Sequence, residues 1–243
     1  MAGTRYCSRQ EGTIAVCGRF TLTSPPEEIA RVFELDSVPD LSPRYNIAPT
    51  QDVATVCARA GGDREIRLRR WGLVPPWAKD PRIGSRLINA RGETVAEKPS
   101  FRDAFRQRRC LVPADGFYEW AAAARGPRKP HHVRRPDRSP FAIAGLHERW
   151  RVEEGSWLET CTLVTVPANA RLAPVHDRMP AILPSEHWDL WLDRDRKDAA
   201  ALLPLLLPRP DSELEFTPVS RRVNRPEFDD AGCLAPPPPE EMP

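Results

Sequence analysis

The sequence predicts an α+β domain built mainly on antiparallel strands. Strand-like segments follow one another through the middle of the chain with no helical pattern between most of them. Short helical patterns flank that region, and 28 prolines among 243 residues argue for a loop-rich fold of short elements. No linker divides the chain, so one domain is expected, long enough to bury a real core.

The elements follow in order. "SPPEEIARVFEL" (24–35) reads as a helix start, with Ser24 as N-cap, Pro25 at the first helical position and Glu27 three residues after the cap. Ile29, Val32 and Phe33 then share a face. "DVATVCAR" (52–59) and "EIRLRRW" (65–71) read as a hairpin around Gly61 and Gly62. "SFRDAFRQRR" (100–109) is a short helix with Ser100 as its cap. "CLVPA", "GFYEW", "HHVRR", "FAIAGLHERW" and "ETCTLVTVPA" read as successive strands between residues 110 and 168. "SEHWDLWL" (185–192) and "DAAALLPLLL" (198–207) read as helices, the second interrupted at Pro204. There are no internal repeats.

Charge is nearly balanced at +2, with 32 arginines and 4 lysines. It is unevenly spread: Arg64 to Arg109 holds eleven Arg and two Lys against five acids. That stretch suits either a solvated face or a groove for a polyanion such as nucleic acid. Cysteines stand at positions 7, 17, 57, 110, 161 and 233 without any CxxC pair, which argues against a zinc site. Cys57, Cys110 and Cys161 lie in apolar runs and read as small buried hydrophobes of a reducing cytoplasm. The first sixteen residues lack the apolar stretch of a signal peptide, and no run suits a membrane span. The end of the chain, 236–243, is Pro-rich and acidic and reads as a disordered tail.

Four islands carry polar residues in apolar or Gly/Pro-rich surroundings: "CGRF" (17–20), "RLINARGET" (86–94), "ADGFYEW" (114–120) and "PVHDRMP" (174–180). Each alone permits a structural role. Asn89 suits a strand end, His176 a loop, and Glu119 the solvent face of a half-buried strand; facing inward, Glu119 needs a partner or a raised pKa. Together a Cys, an Asn, a Glu and a His suit a thiol enzyme.

The ordered set "CGRF", "RYNIAPTQ", "WGLVPPWA", "LINARGET", "CLVPADGFYEW", "VHDRMPAIL" and "TPVSRRVN" resembles the SRAP family (SOS response-associated peptidase) over about residues 17–235. The resemblance implies a barrel-like sheet core and a covalent shield for abasic sites in single-stranded DNA, acting in the DNA damage response. It implies Cys17 as nucleophile, with Asn89, Glu119 and His176 as catalytic partners. Arg19, Arg91 and Arg178 would hold DNA phosphates, and Pro49, Trp77 and Trp120 would form an apolar wall for the bases. No cofactor, metal or membrane partner is implied. A monomer is expected, cytoplasmic and associated with the nucleoid when bound to DNA.

The chemistry suits those residue types. An opened abasic sugar is an aldehyde, which a neutral amine converts to an imine. A thiol on the adjacent carbon then closes a five-membered thiazolidine, an intramolecular step with effective molarities of ~10⁵ M or more when well oriented. Only an N-terminal cysteine offers both groups. Glu119 and His176 supply the proton transfers and Asn89 the positioning. Here Cys17 is not the first residue, and its nitrogen, held in the amide with Val16, cannot react. Two routes expose the amine: cleavage between Val16 and Cys17, or initiation at codon 16, since Val is encoded by the alternative start GTG. The second is preferred, with 1–16 a mis-assigned or removed leader. Two other readings use the same residues: a cysteine peptidase or amidase with Cys17, His176 and Glu119, and a non-covalent single-strand binding module.

Overall fold

The computed structural model describes residues 18–59, 61–123 and 126–239. Thirteen strands are present: β1 (Phe20–Leu22), β2 (Arg44–Ile47), β3 (Asp52–Ala58), β4 (Arg64–Trp71), β5 (Asn89–Arg91), β6 (Arg109–Ala114), β7 (Gly116–Ala121), β8 (Lys129–Arg134), β9 (Phe141–Arg151), β10 (Trp157–Pro167), β11 (Arg178–Pro180), β12 (Ile182–Leu183) and β13 (Glu215–Pro218). Four short helices flank them: α1 (Pro26–Phe33), α2 (Arg102–Gln107), α3 (Trp188–Leu192) and α4 (Ala199–Leu202).

Strands β10, β4, β3, β6 and β9 pair in that order, and β9 pairs back to β10, so the five close into a barrel without free edges. All five contacts are antiparallel except β4–β10, where Thr160 lies beside Arg70 and Cys161 beside Trp71 in parallel. The expected 52–71 hairpin is the β3–β4 pair, in register from Asp52↔Arg70 to Ala58↔Arg64. Its turn contains Gly61 and Gly62, with φ of 115° and 99°, a region that favours glycine. The C-terminal part of β10 carries β5 and β11. A second sheet has the order β13-β8-β7-β1-β2. The α+β, mainly antiparallel expectation therefore holds.

The two sheets meet at Asp115, the single residue between β6 and β7. Its buried carboxylate accepts from Thr21 Oγ1, from Thr23 N and Oγ1 (2.5 and 2.8 Å), and from Ser24 N and Oγ (2.9 and 3.2 Å). This overturns the expected Ser24 cap. Pro25 takes the N-cap position of α1, and no side chain caps it. A buried carboxylate needs donors more than an exposed helix end does. The Ser100 cap is likewise absent: α2 starts after Phe101 with no side-chain cap. Asp198 does cap α4, accepting from Ala200 N at 2.9 Å, and Pro204 tightens the following turn to a 3₁₀ helix over Leu203–Leu205.

Aromatic contacts tie the helices and sheets into one core. Phe20 meets Trp71 edge-on at 5.2 Å, joining the second sheet to the barrel. Phe33 of α1 stacks on Trp188 of α3 at 4.8 Å, and Phe105 of α2 meets Trp191 at 5.9 Å. Ile29 and Phe33 of α1 are fully buried; full burial of such a side chain contributes roughly 1.5–3 kcal/mol. Cys57, Cys110 and Cys161 are all buried.

The basic run from Arg64 to Arg109 does not form one open face. Arg64 pairs with Glu34 and Asp189, Arg108 with Glu148, and Arg69 lies beside Glu159 at 3.3 Å. Arg109 is buried on the carbonyls of Phe105 and Trp191, both at 2.6 Å. No helix among the described residues is long and apolar enough to cross a membrane.

Candidate functional site

Residues 219–235 wrap the second sheet and build one wall of a cleft. Asn46, fully buried on β2, donates from Nδ2 to the carbonyls of Val223, Arg225 and Phe228 at 3.2, 3.0 and 2.7 Å. Its Oδ1 accepts from Arg19 Nη1 at 2.8 Å, and the same Arg19 nitrogen donates to Val223 O at 2.7 Å. Asp229 accepts from the backbone N–H groups of Tyr45 and Asn46. The Tyr118 hydroxyl donates to Tyr45 O at 2.7 Å, anchoring β7 to β2. Burial lowers the Arg19 pKa from the usual guanidinium value.

The cleft has a volume of 540 Å³ and is lined by Gly18, Arg19, Pro49, Trp120, Pro127, Arg128 and Asn224. Tyr118 N donates to Arg19 O at 3.0 Å, so the residues leading into β1 run beside β7. Trp120 Nε1 donates to Asn224 Oδ1 at 2.7 Å, and Arg128 Nη1 donates to Trp120 O at 3.3 Å. The cleft thus combines an indole, two proline rings and two guanidinium groups.

Among the expected site residues, Arg19, Pro49 and Trp120 come together in this cleft. Cys17 lies outside the described residues, but Gly18, to which it is bonded, is part of the lining. Glu119, next to Trp120 on β7, is 2% exposed and directly opposite His131 on β8. Trp77 is 57% exposed and is not in the cleft lining.

A second group gathers at the C-terminal part of β10. Asn89 lies beside Leu163 and Arg91 beside Thr165 on one partner strand, while Arg178 lies opposite Pro167 on another. Arg178 is buried, and its guanidinium is engaged internally. It forms a bidentate pair with Glu93, and Nη2 also donates to Thr165 O at 2.6 Å. The Arg178 pair holds the Glu93 carboxyl below the usual carboxylate range. Arg91 is exposed.

His176 joins the two groups. It is half-buried, and its Nδ1 accepts from Arg178 N at 3.0 Å. Burial lowers its pKa, and the neighbouring charges of Arg128 and Arg178 lower it further, against Asp177. A neutral ring with an accepting Nδ1 carries its hydrogen on Nε2. Asp177 Oδ1 is also 2.9 Å from Nδ1, but one unprotonated nitrogen cannot donate to it. The backbone N–H of Arg178 is the partner consistent with the lowered pKa. Arg128, whose charge helps lower the His176 pKa, is itself part of the cleft lining.

Asn46, Arg128 and Asn224 were not singled out from the sequence. Asn46 and Asn224 do lie within "RYNIAPTQ" and "TPVSRRVN", so the motifs held the signal without the roles. Among the described residues no group of His, Cys, Asp and Glu could hold a metal ion.

The family model described as SOS response associated peptidase (SRAP) matches residues 16–226. The chain belongs to the SRAP family. It is 42% identical over 215 residues to the abasic site processing protein YoqW of Bacillus subtilis (strain 168), covering 87% of this chain and 96% of that protein. It is 31% identical over 231 residues to the abasic site processing protein HMCES of Rattus norvegicus, covering 80% of this chain and 65% of that protein. A crystal structure of a protein from Bacteroides thetaiotaomicron shares the fold at a TM-score of 0.80 and 23% identity, covering 90% of this chain and 99% of that one. One from Bordetella bronchiseptica superposes at a TM-score of 0.71 with 27% identity, covering 84% of this chain and 100% of that one.

Proposed function

We propose that this SRAP-family chain processes abasic sites in single-stranded DNA by forming a covalent thiazolidine through Cys17. The observation that carries the reading is the cleft at Gly18: the residue bonded to Cys17 lines a cavity with Trp120, Pro49, Arg19 and Arg128. An indole and a proline ring suit unstacked bases, and guanidinium groups suit phosphates. Membership of a family whose relatives are named abasic site processing proteins supports the same substrate.

The reaction requires the working form to begin at Cys17, by processing before it or by initiation one codon earlier. The free α-amine, with an unperturbed pKa near 8, attacks the sugar aldehyde. Water leaves the carbinolamine, and the Cys17 sulfur adds to the imine carbon to close the ring. Glu119 handles the protons of dehydration, His176 exchanges a proton with the sugar oxygen during ring opening, and Asn89 orients the attack. Arg19 and the exposed Arg91 and Arg128 neutralise phosphates. Arg178 holds Glu93 and the backbone that positions His176, and contacts DNA only if it leaves that pair. Trp77 offers an exposed indole outside the cleft for a flanking base. Self-cleavage between Val16 and Cys17 is the autopeptidase activity this reading allows, and the active species is a monomer.

The test mixes single-stranded DNA bearing one abasic site with two forms, the full-length chain and a chain starting at Cys17, and resolves them under denaturing conditions. A retarded adduct is expected from the Cys17-start form only, none with intact DNA, and none after acetylation of the α-amine. An adduct mapped to a lysine, or formed by a chain that keeps Ala2, overturns the proposal. Salt-labile complexes alone leave only a binding module. Peptide or amide hydrolysis surviving acetylation favours the peptidase.

A further inference from the structure

The barrel interior holds a thiol pair that the cleft chemistry does not use. Strands β3 and β6 are antiparallel with Val56 opposite Leu111, which sets Cys57 directly opposite Cys110. Directly opposed residues have Cα atoms ~4.5–5.5 Å apart, within the ~4.4–6.8 Å that a disulfide accepts. The two side chains are near enough that each shifts the other's pKa.

Three strands converge on that sulfur. Cys110 comes from β6, His147 from β9, and Arg69 from β4, with Nη1 at 3.4 Å from Cys57 Sγ. Arg69 is 4% exposed, and its other neighbours are Thr55 and Glu159. The hydrogen bond from Cys110, then those from His147 and Arg69's charge, hold Cys57 well below the usual thiol range in spite of its burial. Burial pushes Cys110 up, and it pushes Cys161 to about 12. Of the three buried sulfurs, Cys57 is the one whose surroundings favour the thiolate, with the Cys110 thiol against it. A cavity of 480 Å³ lined by Ala58, Arg59 and Gln107 opens at the same end of β3, one residue beyond Cys57.

We propose that Cys57 and Cys110 form a peroxide-sensitive site that closes into a cross-strand disulfide. The Cys57 sulfur attacks a hydroperoxide: an S–O bond forms, the O–O bond breaks, and the departing oxygen leaves as water or alcohol after taking up a proton. The Cys110 sulfur then attacks the Cys57 sulfenic acid. An S–S bond forms, the S–O bond breaks, and the hydroxyl leaves as water with the Cys110 proton. The two thiols are oxidised by two electrons and one hydroperoxide is reduced. The ring encloses β4, β5 and α2 and fastens the barrel without including a residue of the cleft lining.

The full-length protein is exposed to hydrogen peroxide, unfolded, alkylated and mapped by mass. The expected result is a linked Cys57–Cys110 peptide pair and loss of two of the six alkylation sites, reversed by dithiothreitol, with a higher melting midpoint in the oxidised form. In Cys110→Ser, which keeps a donor beside Cys57 but cannot form the disulfide, the sulfenic acid persists, and a 1,3-diketone probe labels the Cys57 peptide at least about tenfold more than the Cys161 peptide. Cys57 and Cys110 both remaining alkylatable, a pair that includes Cys161 instead, or an unlabelled Cys57 peptide in Cys110→Ser would each overturn it. Because the readout is sulfur chemistry and not DNA, its failure leaves the abasic-site reading untouched, and the reverse holds too.

Discussion

Trp120 and Asn224, separated by 104 positions, are joined by a 2.7 Å hydrogen bond from the indole Nε1 to the amide oxygen. The bond ties the end of β7 to the C-terminal wrap and holds the indole beside the cleft. Tyr118, with its ring centroid 6.3 Å away, supports it from the same strand. An aromatic platform is useful to a nucleic acid only if its plane is held before the base arrives.

Trp120→Ala is expected to weaken binding of undamaged single-stranded DNA by ~1–3 kcal/mol, or roughly 5- to 150-fold. Asn224→Ala leaves the ring but frees it. Its binding loss should be smaller and its stability loss within about 1 kcal/mol, since the bond is exposed. Fluorescence anisotropy with a labelled oligonucleotide, alongside urea melts, separates the two. Equal binding by all three proteins would remove Trp120 from the interface.

Asn46→Ala removes one fully buried amide that serves three carbonyls and the Arg19 guanidinium. Each buried hydrogen bond is worth ~1 kcal/mol net. A total of about 4 kcal/mol for the four bonds, or a fall of about 8–16 °C in melting midpoint, is expected. Limited proteolysis should then cut first within 219–235, the segment the amide holds. An unchanged midpoint would mean that Asp229 alone secures the wrap.

Burial holds His132 at about 4, against ~6.5 for a free imidazole. Between those values the unfolded chain binds a proton that the folded chain refuses. Stability from this residue is therefore complete above about pH 6.5 and falls as the pH drops toward 4, by roughly 3 kcal/mol in all. His132→Gln keeps a polar group beside Thr21, whose Oγ1 lies 3.1 Å from the imidazole. Between about pH 7.5 and 4.5 its urea midpoint should fall less than that of the unmodified protein. The imidazole packs directly over Gly116, where an added Cβ would sit 1.9 Å from His132 Nε2.

Local pattern carried much of this fold. Alternation and Gly61–Gly62 defined the β3–β4 hairpin, and the long runs at 141–150 and 159–168 are β9 and β10 within a few residues. Barrel closure was legible only through the family resemblance, because the β9–β10 and parallel β4–β10 registers join segments that no local signal pairs. Ser24 failed as a cap because Asp115, 91 residues away, takes its donors. Arg178 shows the same limit within the site: its bidentate hold on Glu93 lies 85 positions back in sequence. Residue types told what Asn89, Glu119 and His176 suit chemically, while Arg128 stood in an unremarkable loop, its closeness to His176 a product of folding alone.

Arg128 is exposed, lines the cleft, and lowers the His176 pKa together with burial and Arg178. Those two facts make Arg128→Ala readable twice. As a phosphate contact on single-stranded DNA, its loss should reduce the slope of log K against log salt by about 0.7. As a like charge near the imidazole, its loss should raise the His176 midpoint measured by NMR, though burial, the largest cause, keeps it below the ordinary value. Arg128→Lys should restore most of both. A raised midpoint with an unchanged salt slope would make Arg128 a tuner of His176 and not a DNA contact. The reverse would leave it a DNA contact too far from the ring to matter.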